Sequence, residues 1–218
     1  MSSLFESLPF SRGPAMKNRF MLAPLTNTQS HADGRLSDDE INWLEMRAKG
    51  GFGLTMSAAA HIQAVGQGFP GQLGAFSDDH IEGMSRMAAA IKSHDSLSIM
   101  QLHHAGNRTP ADLIEGTPVC PSADEEAGAR ALSHDEVGQL VEDFILAAKR
   151  AEAAGFDGVE VHGAHGYILS QFLSAEINKR TDEYGGSLEN RSRIVFEIVN
   201  GIRARCRPDF NVSIRLSP

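Results

Sequence analysis

"GVEVHG", residues 158–163, is a short β-branched run bounded by glycines, and its side chains alternate in character. In a strand, Val159 and Val161 face one way while Glu160 and His162 face the other. "NVSIRLS", residues 211–217, repeats the pattern, with Val212, Ile214 and Leu216 opposite Ser213, Arg215 and Ser217. In "SLSIMQLH", residues 96–103, Met100 and Leu102 oppose Ile99, Gln101 and His103. In "GLTMSAA", residues 53–59, Thr55, Ser57 and Ala59 fall on one parity, and "RFMLAP", residues 19–24, is a fifth strand candidate. An apolar parity suits a face packed on helices. A polar parity ending in Gln, His and Arg suits a face that closes on something polar, since such groups are costly to bury without partners.

Helical periodicity fills the spaces between these strands, near 38–49, 78–93, 134–154 and 188–205. The clearest case is 134–154, where Val137, Leu140, Val141, Phe144, Ile145 and Ala148 recur at helical spacing. Ser133 and Glu136 form a capping-box signature at its start, and Gly155 ends it. Ser77 is the corresponding cap before residue 78. A further amphipathic helix leads out of "HGYILSQFL". Strands alternating with helices predict an α/β protein with a parallel sheet, either doubly wound or a (β/α)₈ barrel. No G-x-G-x-x-G follows the first strand, which runs into "APLTNT" instead, and this favours the barrel. Residues 104–132, rich in Pro, Gly and acids, read as a long functional loop.

The 218 residues carry a formal net charge of −8, with 41% hydrophobic and 22% charged residues. Those proportions are those of a globular protein. The negative charge argues against nucleic acid and anionic membrane as partners. No apolar run is long enough to span a bilayer, and "MSSLFESLPF" lacks a secretory pattern, so the expected location is cytoplasmic. Cys120 and Cys206 are far apart in sequence and point to neither a disulfide framework nor a zinc site.

His162, His165 and Tyr167 cluster where the fourth strand ends. A lone His-x-x-His pair is more often structural, or half a metal site, than a substrate grip. A third ligand and the helical His-Glu-x-x-His spacing are missing, so no metal is expected. His103 and His104 are candidate ligands or contacts, with His104 read as a satisfied loop histidine. Glu160, on the polar parity, reads as a partner for a neighbouring cation. Gly185–Gly186 read as a turn, Ser187 as a helix cap, and Asp182, Tyr184 and Arg191 as framework. Cys206 reads as inert. Phe69 and Trp43 suit either a pocket wall or the shell.

"HGAHGYILSQFLSAEINKRTDEYGGSLENR", from His162, together with "APLT", "QLHHAGNR" and "SIRLSP" after successive strands, resembles the old yellow enzyme family. The resemblance runs from about residue 4 to the last residue. Those proteins are FMN-dependent NAD(P)H oxidoreductases, or ene-reductases, on a (β/α)₈ barrel. The resemblance implies that Pro24, Leu25 and Thr26 lie along the flavin, with Thr26 near C4–O4. It implies that Ala59 admits the isoalloxazine, that Gln101 pairs with the pyrimidine edge, and that Arg215 sits beside N1 and O2. His162 and His165 would grip a substrate carbonyl or nitro oxygen, and Tyr167 would donate the proton. NADH or NADPH would be the reductant and an electron-poor alkene, quinone or nitro compound the acceptor, with a homo-oligomer as the implied assembly.

Five strands are visible where the barrel has eight. Residues 1–218 would then be the N-terminal part of a single FMN-binding barrel domain, with the phosphate-binding loops, and any iron–sulfur cysteines, beyond residue 218. The chain alone would be short of a complete site. The rival reading is a non-catalytic flavin-fold remnant, or a half-barrel that binds a partner.

Overall fold

The structure is a computed structural model that describes residues 3–217. Its centre is a parallel sheet of five strands in the order β1 (Met21–Leu22), β2 (Leu54–His61), β3 (Leu97–His103), β6 (Gly158–Gly163) and β7 (Asn211–Leu216). Between them run α1 (Asp38–Lys49), α2 (Ile81–Lys92), α3 (His134–Ala153), α4 (Ile168–Leu173) and α5 (Leu188–Arg205). Two very short strands, β4 (Val119–Cys120) and β5 (Arg130–Ala131), form a separate parallel pair.

The helices lie against one face of the sheet. Met100, Leu102, Val159 and Val161 join Leu44, Met84, Met87, Ile91, Leu140, Phe144, Ile194 and Ile198 in one continuous core. Strand register explains why these side chains meet. Gln101 stands opposite Glu160, Glu160 opposite Ser213, and His162 opposite Arg215, so like parities align across the strands. The other face is layered. At the N-terminal ends of the strands it is apolar, with Met16, Leu54, Met56 and Ile99 packed together against Leu8, Phe10 and Leu97. At the C-terminal ends it is polar.

β2 departs from the alternation expected of it. Met56 pairs with Ile99, but the next aligned pair is Ala59 with Gln101, so one extra residue is inserted in β2. The bulge exchanges the faces of everything beyond it. Met56 packs in the lower apolar layer, whereas Ala60 belongs to the helix-side core and Ala59 lines the polar end of the inner face. Thr55, Ser57 and Ala59 therefore do not share a face. Ser57 stabilises the irregularity: its hydroxyl accepts from Gln101 N (3.1 Å) and donates to Ala58 O (2.7 Å).

Two other expectations are modified. The first strand pairs only at Met21–Leu22, because Phe20 spends its carbonyl on the Gly53 and Leu54 amides and Pro24 has no N–H to offer a ladder. Residues 104–132 are a long connection but not a structureless one. They hold two 3₁₀ turns, Gly106–Arg108 and Ala111–Leu113, and the β4–β5 pair. The capping reading stands: Ser133 accepts from Glu136 N, the Glu136 carboxylate accepts from Ser133 N, and Arg130 pairs with that carboxylate. Ser77 accepts from Asp79 N and Ser187 from Asn190 N. Arg180 pairs with Asp182, Tyr184 donates to Glu197, and Arg191 donates to Leu173 O and Gly186 O, so these residues are framework. No described helix is long and apolar enough to cross a membrane.

The upper ends of β2 and β3 are tied by buried histidines. His104 Nδ1 accepts from Gly106 N and its Nε2 lies 3.1 Å from Gln63 Oε1, while His61 Nδ1 lies 2.9 Å from Gln63 O. Burial holds His61 neutral down to about 4 and His104 down to about 3. In the unfolded chain a histidine takes up its proton near pH 6.5. The unfolded state therefore binds protons first, and stability is complete above that pH and lost as pH falls from there toward 4. Each histidine contributes a slope of up to about 1.4 kcal/mol per pH unit. Urea unfolding should accordingly show a lower midpoint at pH 5 than at pH 7.5; equal midpoints would contradict the buried neutral state. Ser57→Ala should leave the buried Gln101 amide without an acceptor and cost about 1–3 kcal/mol, read as a drop in the urea midpoint at pH 7.5. A neutral outcome would mean the bulge does not depend on that hydroxyl.

Candidate active site

The C-terminal ends of the strands surround a cavity of about 280 Å³. Pro24, Leu25 and Thr26 reach it from the segment after β1, Ala59 from β2 beyond the bulge, and Gln101 from β3. His162 comes from β6, His165 and Tyr167 from the turn after it, and Arg215 from β7. Phe69, whose place the sequence left open, is a wall of the same cavity. Trp43 is elsewhere, packed against the helix-side core with Arg47 stacked 3.9 Å from its ring centroid.

The cavity floor is organised by Glu160. Its Oε1 accepts from Gln101 Nε2 and from Arg215 Nε, both at 2.8 Å. Glu160 and Gln101 are buried, and Arg215 is partly buried. Bonding to the carboxylate through Nε leaves the two Nη groups of Arg215 without a partner among the described residues. The Gln101 amide donates to Glu160, so its carbonyl oxygen remains as an acceptor. The cavity thus presents an acceptor and a cation joined through one carboxylate oxygen, with the small side chain of Ala59 in register beside Gln101.

Beside Arg215 the lining is imidazole and phenol. Ala164 N donates to His162 Nδ1 (3.3 Å), which places the proton of a neutral His162 on Nε2. That Nε2 lies 3.3 Å from His165 Nδ1, so the two imidazoles meet edge to edge at the cavity. Burial first, then the neighbouring His165 and Arg215, push His162 down to about 4. His162 is therefore a neutral N–H donor at physiological pH. The Tyr167 ring stands edge-to-face on His162, with centroids 5.0 Å apart, and on His103, at 4.3 Å.

Two contributors, Gln72 and Arg108, were not singled out by the sequence, and a third, His103, was read there as a candidate ligand or contact. Gln72, fully buried, donates through Nε2 to Ala59 O (2.9 Å) and His103 Nδ1 (3.0 Å) while its Oε1 accepts from Gly68 N. His103 lies behind Tyr167, held neutral well below the usual imidazole range by burial and then by His162 and other neighbouring histidines. Arg108 donates to His165 O (2.6 Å) and lies 5.2 Å from the Tyr167 ring centroid. His104 is internally satisfied rather than part of the cavity. Cys206 is buried at the end of α5, with burial pushing its thiol up to about 11.

Known proteins resemble this chain in sequence and in fold. The Bacillus subtilis protein YqiG, a probable NADH-dependent flavin oxidoreductase, is 38% identical over 223 residues, covering 99% of this chain and 60% of that protein. An NADPH dehydrogenase of Halalkalibacterium halodurans is 39% identical over 196 residues, covering 88% of this chain and 57% of that protein. Among solved structures, the old yellow enzyme homologue from Zymomonas mobilis superposes with a TM-score of 0.93 at 33% identity, covering 100% of this chain and 64% of that one. Morphinone reductase in complex with tetrahydroNAD superposes at 0.91 with 32% identity and the same coverages. The chain spans about 60% of the length of these relatives, and the five-stranded sheet is the corresponding part of a TIM barrel. The NADH:flavin oxidoreductase / NADH oxidase family matches residues 3–218, and the chain belongs to that family.

Proposed function

We propose that the protein to which these residues belong is an FMN-dependent oxidoreductase that passes reducing equivalents from NAD(P)H to an electron-poor alkene or a similar acceptor. The observation that carries this reading is the one cavity that Gln101 and Arg215, joined through Glu160, line together with His162, His165 and Tyr167. Residues 1–218 are, on this reading, the N-terminal part of one flavin-binding barrel domain.

The residues present fit FMN. A planar ring system with an amide edge needs a shallow floor, an acceptor for its ring N–H and a cation for the charge it gains on reduction. Ala59, the Gln101 carbonyl and the Arg215 Nη groups meet these needs, with Pro24, Leu25 and Thr26 along the ring. When bound, FMN supplies hydride transfer between nicotinamide and acceptor. Glu160 fixes the Arg215 guanidinium, so its charge is in place before the reaction begins.

The chain's own groups then act on the acceptor. His162 offers a neutral Nε2–H, and His165 brings a second imidazole beside it. Two N–H donors converging on one carbonyl or nitro oxygen draw charge toward it and polarise the conjugated alkene. The Tyr167 hydroxyl, on the same wall, delivers a proton to one alkene carbon as general acid. A quinone, whose reduction needs no proton on carbon, does not require that step.

Stopped-flow measurement of the two half-reactions tests this in the intact protein. Tyr167→Phe removes one oxygen and leaves the ring, and general-acid catalysis contributes about 10²–10⁴-fold. Alkene reduction should slow by a factor in that range, with flavin reduction by nicotinamide changed only a few-fold and quinone turnover nearly unaffected. Equal slowing of both halves, or of neither, would show that Tyr167 is not the proton donor.

A further inference from the structure

His165 carries its imidazole on a backbone that an ordinary side chain avoids. Its φ is +60°, and Gly166 follows at +73°. The left-handed region is sterically unfavourable for a residue with a Cβ, so something outside the turn must hold it there. The hold comes from three directions. His165 N donates to Ser217 Oγ (3.0 Å), beyond β7. Gly166 O accepts from Gln171 Nε2 (2.8 Å), on α4. His165 O accepts from Arg108 Nη1 (2.6 Å), on the 3₁₀ turn after β3.

Arg108 does more than donate that bond. Its guanidinium carbon lies 5.2 Å from the Tyr167 ring centroid, within the range of cation–π attraction. The turn that presents it is itself fixed, because buried Gln171 accepts from Asn107 N (3.2 Å) and donates to Ala105 O (3.2 Å). Arg108 is exposed, does not line the cavity, and has no carboxylate partner among the described residues. One planar cation thus touches the backbone of one acceptor-site residue and the ring of another. A guanidinium can do both at once because its N–H groups radiate in the plane while its face stays free to stack.

We propose that Arg108 is a positioning residue for acceptor reduction: it locks the left-handed His165–Gly166 turn and braces the Tyr167 ring. The donor from His165 and the proton from Tyr167 thereby keep a fixed relation to each other. This rests on the acceptor role proposed for those two residues. The long connection after β3 acquires a function through one side chain at its start.

Arg108→Met keeps the length and apolar stem and removes the charge and the donors. In the intact flavoprotein, amide hydrogen exchange of the 162–173 peptide should speed up by about ten-fold, the factor that corresponds to losing ~1.4 kcal/mol of local stability. Reduction of 2-cyclohexenone should slow by about the same factor, with benzoquinone turnover within two-fold of the unsubstituted protein. Arg108→Lys restores the cation without the planar fork and should recover part of the enone rate. Exchange within two-fold of the unsubstituted protein would overturn the proposal. So would faster exchange with an unchanged enone rate, or an equal fall with enone and quinone. An unsubstituted protein that does not reduce the enone would contradict the acceptor reading instead, and the exchange rates alone would then decide whether Arg108 holds the turn.

Discussion

The carboxylate of Glu160 sits on the inner face of the sheet with two donors on one oxygen, Gln101 from β3 and Arg215 from β7. A charge in that position is tolerable only because it is paired and hydrogen-bonded, and breaking such a pair by removing one member costs about 3–5 kcal/mol. The pairing has two consequences. It ties three neighbouring strands together on the face that carries no helices. It also sets the orientation of Gln101 and Arg215, so that the groups not used in the floor are presented to the cavity. The polar end of the sheet is therefore both a structural layer and the surface on which chemistry can occur.

The bulge in β2 completes that surface. With strict alternation from Met56, Ala58 would stand opposite Gln101, and Ala59 would point toward the helices. The inserted residue lets the lower half of β2 contribute Leu54 and Met56 to the apolar layer and the upper half contribute Ala59 to the cavity. Gln72 then fixes the Ala59 carbonyl and the ring of His103 with a single amide. His103 in turn backs Tyr167. Tyr167 is thus connected to the Ala59 backbone through two fully buried groups, Gln72 and His103.

Much of this was legible in the residues themselves. β3, β6 and β7 carry strong contrast between Val, Ile, Leu or Met on one parity and Gln, Glu, His or Arg on the other, so their faces could be assigned directly. In "MSAAAH" the side chains are nearly uniform in size and polarity, and alternation carries no signal there, which is why the bulge was invisible. β4 and β5 are two residues each, too short for any period to be read. The residues expected around the cavity come from five separate segments, and the fold brings all of them to one place. Arg108 and Gln72 escaped notice for a common reason. Their partners are the backbone carbonyls of His165 and Ala59, and a carbonyl leaves no mark in the sequence.

Everything at the site depends on what the Glu160-organised floor holds. The direct measurement is mass spectrometry of the intact protein purified without denaturation, beside a Gln101→Leu, Glu160→Leu, Arg215→Met triple substitution, which removes the carboxylate together with both of its partners and so leaves no buried charge unpaired. One FMN per protein chain is expected, released by heat as free FMN. The triple variant should retain its fold by circular dichroism and lose most of the flavin. An unsubstituted protein that carries FAD or no flavin, or a triple variant that holds FMN as tightly as the unsubstituted one, would contradict that.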